Sequence, residues 1–371
     1  MKTDYRTKYT YFDITDATEI VNELRNHPVD KVSLVYDANI TNSAIDDLLT
    51  KLNQEFSVKF IFGHDGKEPT TFLVDSIRND LDTKDVDSII GIGGGSTLDL
   101  AKALSVLYFY DKPSKEAQGT KLSITRKLFS VAIPTTAGSG SEATKSAVLT
   151  NTEAQIKRGV NNLMVLPDVA FLYPALLEGI PKNVFVASIF DGFTHALESY
   201  IGQLGNENTK SLSEKAIKVY MEQFEMLKDN GKFKIHSRIL TASNLAGTAI
   251  CNSETGPVHA LSYPLSEYYG YGHGQAVGLL LPNVIRTYGE FDPKVAVKIE
   301  EIVNKSLLQL LEVLDQTYKH FLAPNILQNQ MIDIARVSSR SMELQGAILN
   351  SPLEWTRKHS LNTLEYIWPR I

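Results

Sequence analysis

Asp191 and His195 stand four residues apart in the stretch DGFTHALESY. On a helix that spacing stacks two side chains on one face, about one turn apart. Such a pair is a salt bridge, a buried hydrogen bond, or half of a metal site. Two more histidines sit among small and apolar residues: His259 in GPVHALSYPL and His273 in YGYGHGQAVGLLLP. An imidazole in that setting is either a satisfied core residue or a ligand. Three such imidazoles and one carboxylate would complete a four-donor N/O site, suited to Fe(II), Zn(II) or a related divalent ion. The only cysteine, Cys251, leaves no internal disulfide and no thiolate-rich zinc or iron–sulfur site. A catalytic metal with an open position is then a more natural reading than a structural zinc. The remaining histidines, His27, His64, His236, His320 and His359, lie in polar or loop-like contexts and read as surface residues.

A second constellation lies upstream. GIGGGSTLDLAKAL begins at Gly91. A glycine-rich turn between strand and helix lets backbone approach a phosphate, and the helix N-terminus offers free N–H groups and a positive dipole end. Gly93, Gly94, Gly95 and Ser96 would form this cradle, with Thr97 opening the helix. The spacing matches neither the common dinucleotide fingerprint nor a P-loop. A second small-residue loop, PTTAGSGSEATKSAV, starts at Pro134. Thr135, Thr136 and Ser141 there are positioned to donate to phosphate or ribose oxygens. Asp37 ends an early strand, where a carboxylate accepts from a ribose hydroxyl pair and repels a 2′-phosphate. It favours NAD over NADP.

The elements that must position these groups follow from the pattern. Strand-like runs at 31–37, 58–63, 86–96 and 128–136 alternate with helical patterns at 43–55, 71–81 and 97–107. That alternation predicts crossover units and a parallel sheet. Beyond LEGIPKNVF, at 177–185, long helical patterns take over, at 188–201, 209–227, 235–252 and 293–318. The boundary falls near Pro181–Lys182, giving an α/β domain over 1–182 and an all-α domain over 183–371. The 371 residues are 43% apolar and 22% charged, with a formal net charge of -6 and no basic run. This composition supports a real core and argues against nucleic acid or anionic membrane as the main partner. The N-terminal stretch is polar, with no apolar signal core, and no run is long enough to span a bilayer. A cytoplasmic enzyme is expected.

Taken together, GGGSTLDLAKA, IPTTAGSGSEAT, DGFTHALESY, VHALSYPL and GHGQAVGLLLP resemble the ordered motifs of the iron-dependent (group III) alcohol dehydrogenase family. The resemblance covers roughly residues 30–365. It implies a Rossmann-like NAD(P) domain followed by an all-α metal-binding domain, an architecture shared with dehydroquinate synthase. It implies that Asp191, His195, His259 and His273 ligate one metal, and that Gly94, Gly95, Ser96, Asp99, Thr135, Thr136 and Lys157 contact the cofactor. Many relatives carry a histidine near the nicotinamide where this chain has Tyr263. Tyr263 is therefore expected near the nicotinamide as a proton relay, a substrate hydrogen-bond partner or a packing group.

The expected chemistry is hydride transfer between NAD(H) and a metal-held alcohol or aldehyde, in a homodimer. Other readings are carried by particular features. AQGTKL and SEATKSAVLTN…IKRGVNN look like relatives that oxidise a terminal hydroxyl of an eight-carbon sugar acid, and other segments look like phosphonoacetaldehyde reductases. Lys145 is there either a cation facing the pocket to meet an anionic substrate group or a surface lysine. A sugar-phosphate cyclase of the dehydroquinate synthase type would instead want more Lys and Arg around the metal, and a glutamate in place of Asp191. An NAD-sensing module would have no need of four metal ligands.

Overall fold

The computed structural model describes residues 4–81, 84–119, 122–235, 237–323 and 331–368. His236, and Thr120 and Lys121 of AQGTKL, lie outside the described residues. The chain separates into two compact units. One takes in residues up to Ile180 together with Ile235–Asn244. The other comprises Pro181–Lys234 and the chain from Leu245 on.

The first unit is α/β. In chain order it contains β1 (Tyr9–Tyr11), α1 (Ala17–Leu24), β2 (Lys31–Asp37), α2 (Ser43–Glu55), β3 (Ser57–His64), α3 (Thr71–Leu81), β4 (Ser88–Gly93), α4 (Gly95–Leu107), β5 (Phe129–Pro134), β6 (Ser146–Asn151), β7 (Ile156–Asn161) and β8 (Val169–Phe171). Six strands form one sheet in the order β1-β8-β5-β4-β2-β3, every pair parallel. β6 and β7 form a separate antiparallel hairpin. Strand β4 is buried at every residue and β2 at four of its seven, the continuous apolar character of strands covered on both faces. Asp16 and Asn42 cap α1 and α2 by accepting the N–H of Thr18 and Ile45. β2 is flanked by β3 on one side and β4 on the other. The chain order reverses there, so the carboxyl ends of β2 and β4 border the crevice in which open α/β sheets take ligands.

The second unit is helical: α5 (Lys182–Ile201), α6 (Glu207–Asn230), α7 (Ser237–Ser253, its first half counted with the first unit), α8 (Pro257–Tyr269), α9 (His273–Phe291), α10 (Pro293–Val303), α11 (Leu307–Phe321), α12 (Ile334–Ser341), α13 (Gln345–Leu349) and α14 (Arg357–Ile367). Helix α5 is buried along most of its length because α6, α9, α10 and α11 all pack on it. The pattern at 293–318 predicts one helix, and the chain makes two. Asn304, left-handed at φ 52°, ends α10, and Ser306 opens α11 in a reciprocal capping box with Gln309.

Lys102 holds the first unit together at a single point. Its side chain is 2% exposed, inside α4. Nζ lies 2.9 Å from each of Ser141 O, Ser141 Oγ and Thr144 Oγ1, close to Ser146 O and 3.3 Å from Asp99 Oδ1, so its three N–H groups are shared among five oxygens. It thus ties the helix after the glycine loop to the second loop and to β6. Removing one partner of such a set strands the others without compensation. Lys102→Met should lower stability by about 3–5 kcal/mol, measured by urea denaturation followed by circular dichroism. An unchanged midpoint would show that these oxygens find other donors.

Candidate functional site

The helical unit brings the four candidate donors to one point. On α5, Asp191 and His195 share a face, with His195 Nε2 3.6 Å from Asp191 Oδ1. The same oxygen lies 3.3 Å from Nε2 of His259, the third residue of α8, and 3.3 Å from Nε2 of His273, the first residue of α9. The His195 and His259 rings stack with centroids 4.5 Å apart. Donor atoms of Asp191, His195 and His259 all lie within 4.8 Å of one another. Local sequence explains the convergence. Gly274 lets the first turn of α9 press on α5, where a Cβ would sit 2.5 Å from Ala187 O. Pro257 suits the first turn of α8, where a backbone N–H has no helical partner.

Electrostatics follow from burial. Asp191 is 5% exposed. Burial alone would raise its carboxyl pKa, but the imidazoles of His195, His273 and His259 outweigh burial and hold it well below the usual range. For His259 burial opposes protonation, yet Glu198 and Asp191 raise it to about 9. This donor set, three imidazole nitrogens around one carboxylate oxygen, fits a divalent ion that prefers N/O ligands.

Glu198, which no sequence motif singles out, lies three residues after His195 on the same helical face. It is 2% exposed. Its Oε2 lies 2.5 Å from His259 Nδ1 and accepts the Gly256 N–H at 2.7 Å. Its Oε1 accepts the Val258 N–H at 2.7 Å. By contrast, His273 Nδ1 has no hydrogen-bond partner among the described residues. Tyr263 lies one turn beyond His259, its ring 6.0 Å from that of His273 and nearly edge-on at 69°.

In the α/β unit the glycine loop leaves β4 and enters α4. Gly94 is the N-cap and has no side-chain cap, so the first N–H groups of α4 are offered outward. The helix begins at Gly95, two residues before the expected Thr97. Close packing requires the glycines: a Cβ on Gly93 would lie 2.5 Å from Thr97 Cβ, and one on Gly95 2.8 Å from Ser139 Cβ. The second loop crosses here, with the Thr135 N–H donating to Gly93 O at 3.0 Å and Thr136 beside Gly94. Asp37 ends β2, its Oδ1 accepting from the backbone and side-chain nitrogens of Asn39 at 2.9 and 3.0 Å.

Several of the expected site residues are engaged within the protein, and one histidine is more buried than its context suggests. Ser141 Oγ donates to Asp99 at 2.6 Å, so its proton is not offered to a phosphate or ribose. The other Asp99 oxygen accepts the Val148 N–H at 2.9 Å, which makes Asp99 a brace between α4 and β6. Lys157 is buried and ion-paired with Glu68. His64 is not a surface residue: it is 2% exposed at the end of β3, with Nδ1 2.9 Å from Thr97 Oγ1, because the strand runs under the start of α4. Burial lowers its pKa.

Comparison with known proteins gives the family of the chain. The family model for iron-containing alcohol dehydrogenase matches residues 8–174, and that for the C-terminal part of the Fe-containing alcohol dehydrogenase family matches residues 185–319. The chain belongs to the iron-containing alcohol dehydrogenase family. It is 32% identical over 248 residues to 4-hydroxybutyrate dehydrogenase of Clostridium kluyveri, covering 66% of each chain. It is 29% identical over 303 residues to the aldehyde-alcohol dehydrogenase of Streptococcus pneumoniae, covering 77% of this chain but 34% of that longer one. The crystal structure of an iron-containing alcohol dehydrogenase from Thermotoga maritima superposes with a TM-score of 0.84 at 25% identity, covering 98% of both chains. These likenesses do not favour the sugar-phosphate cyclase.

A divalent ion entering the four-donor set must displace the His259 proton, which below about pH 9 is bound. Metal uptake at pH 7 should therefore release protons, and apparent affinity should rise with pH up to about 9, by roughly tenfold per pH unit for one proton displaced. Calorimetry in buffers of different ionisation enthalpy measures this. Uptake without proton release would show that the ion bypasses His259.

Proposed function

We propose that this chain is a metal-dependent, NAD(H)-linked alcohol dehydrogenase, running in reverse as an aldehyde reductase. The observation that carries this reading is the convergence of three imidazole Nε2 atoms on one buried Asp191 oxygen. Asp191, His195, His259 and His273 are the proposed ligands. Fe(II), suggested by the family, or Zn(II) would supply Lewis acidity, lowering the pKa of a substrate hydroxyl or polarising a carbonyl. The nicotinamide would supply the carbon that takes or gives the hydride.

The chain's own residues have distinct tasks. Gly93, Gly94, Gly95 and Ser96 present backbone N–H groups to the cofactor's phosphates, with Thr135 and Thr136 alongside. Asp99 and Ser141, joined through Lys102, keep that loop in place. Asp37 accepts from the ribose. Among the described residues its Oδ2 takes no hydrogen bond, in contrast to Oδ1. Tyr263, one turn beyond His259, passes the hydroxyl proton toward solvent or hydrogen-bonds the substrate. A tyrosine with a reference pKa near 10 does this as a link in a chain rather than as a base. The setting is an aqueous reducing compartment, the cytoplasm. No helix among the described residues is long and apolar enough to cross a membrane. The relative named for 4-hydroxybutyrate supports including that acid among the alcohols tried. Lys145, whose Nζ lies 5.2 Å from the Tyr5 ring, is a cation to vary if an acid is preferred.

Incubation of purified protein with Fe(II) or Zn(II), NAD or NADP, and a panel of alcohols and hydroxy acids tests the activity. NADH should form only with metal present. NAD should be favoured over NADP by roughly tenfold or more, from about 1.4 kcal/mol of like-charge repulsion at Asp37. Asp37→Gly should narrow that ratio. Absence of turnover with every metal and alcohol contradicts the activity; an NADP preference contradicts the role of Asp37.

Tyr263→Phe keeps the ring and removes the hydroxyl. We expect kcat to fall by about 10²-fold, the lower range of proton-transfer effects, with KM for NAD unchanged. Unaltered kcat and pH profile would leave Tyr263 a packing role only.

A further inference from the structure

We propose that Glu198 is the positioning residue of the metal site: its carboxylate fixes His259 in the one tautomer that can ligate. This rests on the metal reading given above. Three N–H donors meet this carboxylate, from Gly256, Val258 and the His259 ring. Two of them belong to the N-cap and second residue of α8, so Glu198 also closes the end of the helix that carries His259. The approach depends on a missing side chain, because a Cβ on Gly256 would lie 2.8 Å from Glu198 Cδ.

The consequence is directional. With Nδ1–H held by Glu198, the proton that leaves when an ion binds is the one on Nε2, so the lone pair is freed on the atom facing Asp191 Oδ1 at 3.3 Å. His273 is the contrast, since its Nδ1 has no such partner among the described residues and its side chain is 28% exposed. Helix α5 therefore supplies two ligands directly and aims a third through Glu198. Glutamine cannot take over. Three donors need both carboxylate oxygens, and a glutamine has one oxygen and an NH2 group. It must either set N–H against a backbone N–H of α8 or turn His259 to the tautomer with its proton on Nε2.

The test compares metal-free wild type and Glu198→Gln in competition with a chromophoric chelator for Zn(II). The variant should bind Zn(II) about 10- to 100-fold more weakly. In NMR of the zinc-loaded wild type, the His259 Nδ1–H should give a low-field resonance that the variant lacks. A purely structural cap would lower the melting temperature and leave the affinity of the folded protein alone. Equal affinity of variant and wild type overturns the proposal. Should the variant not fold, the wild-type spectrum decides: no low-field Nδ1–H on His259 overturns it as well. Failure of the wild type itself to bind Zn(II) or Fe(II) would instead remove the metal reading, and this role with it.

Discussion

Two carboxylates buried in the helical unit set the terms for everything around them. Asp191 and Glu198 are almost wholly out of water and lie seven residues apart on α5. A buried anion is tolerable only with hydrogen bonds and positive charge at hand. Glu198 gets its hydrogen bonds from the first turn of α8. Asp191 gets imidazoles from α5, α8 and α9. A divalent ion at this point would balance the two negative charges. Helix α5 is buried along most of its length because only a covered helix can keep these groups dry. The glycines at 256 and 274 remove the side chains that would hold α8 and α9 away.

The α/β unit solves the opposite problem. There the start of α4 is left without a side-chain cap, an arrangement that would suit an anion drawn from water. An open loop of small residues has little to hold its shape. The support comes from beneath, where Lys102 collects oxygens from the second loop and Asp99 bridges to Ser141 and β6. The cation is fully used internally, which would leave recognition of a phosphate to backbone N–H groups.

Sequence patterns carried much of this. Strand β2 and helices α2 and α3 were legible to the residue, because a continuous apolar run marks the strand and helical periodicity marks the helices, with Asn42 capping α2. The family motifs named the four donors, and the fold gathers them. What could not be read depended on three-dimensional neighbours. Nothing local marks Glu198 as different from any helical glutamate; its meaning comes from α8, about sixty residues later. His64 stands in a polar string, FGHDGKEP, and is buried only because β3 ends beneath α4. Ser141 has the right chemistry for a phosphate donor but lies closer to Asp99. The break between α10 and α11 rests on a single left-handed asparagine, which a smooth apolar pattern conceals.

The central claim is that one divalent ion is shared by the three helices α5, α8 and α9. Anomalous diffraction from crystals of metal-loaded protein, collected on either side of the zinc or iron absorption edge, tests it most directly. The account predicts a single strong peak at about 2.0–2.2 Å from a carboxylate oxygen of Asp191 and from Nε2 of His195, His259 and His273, ordinary Zn–N and Zn–O distances. A peak elsewhere in the chain, or one that Asp191 and His259 do not touch, would contradict it.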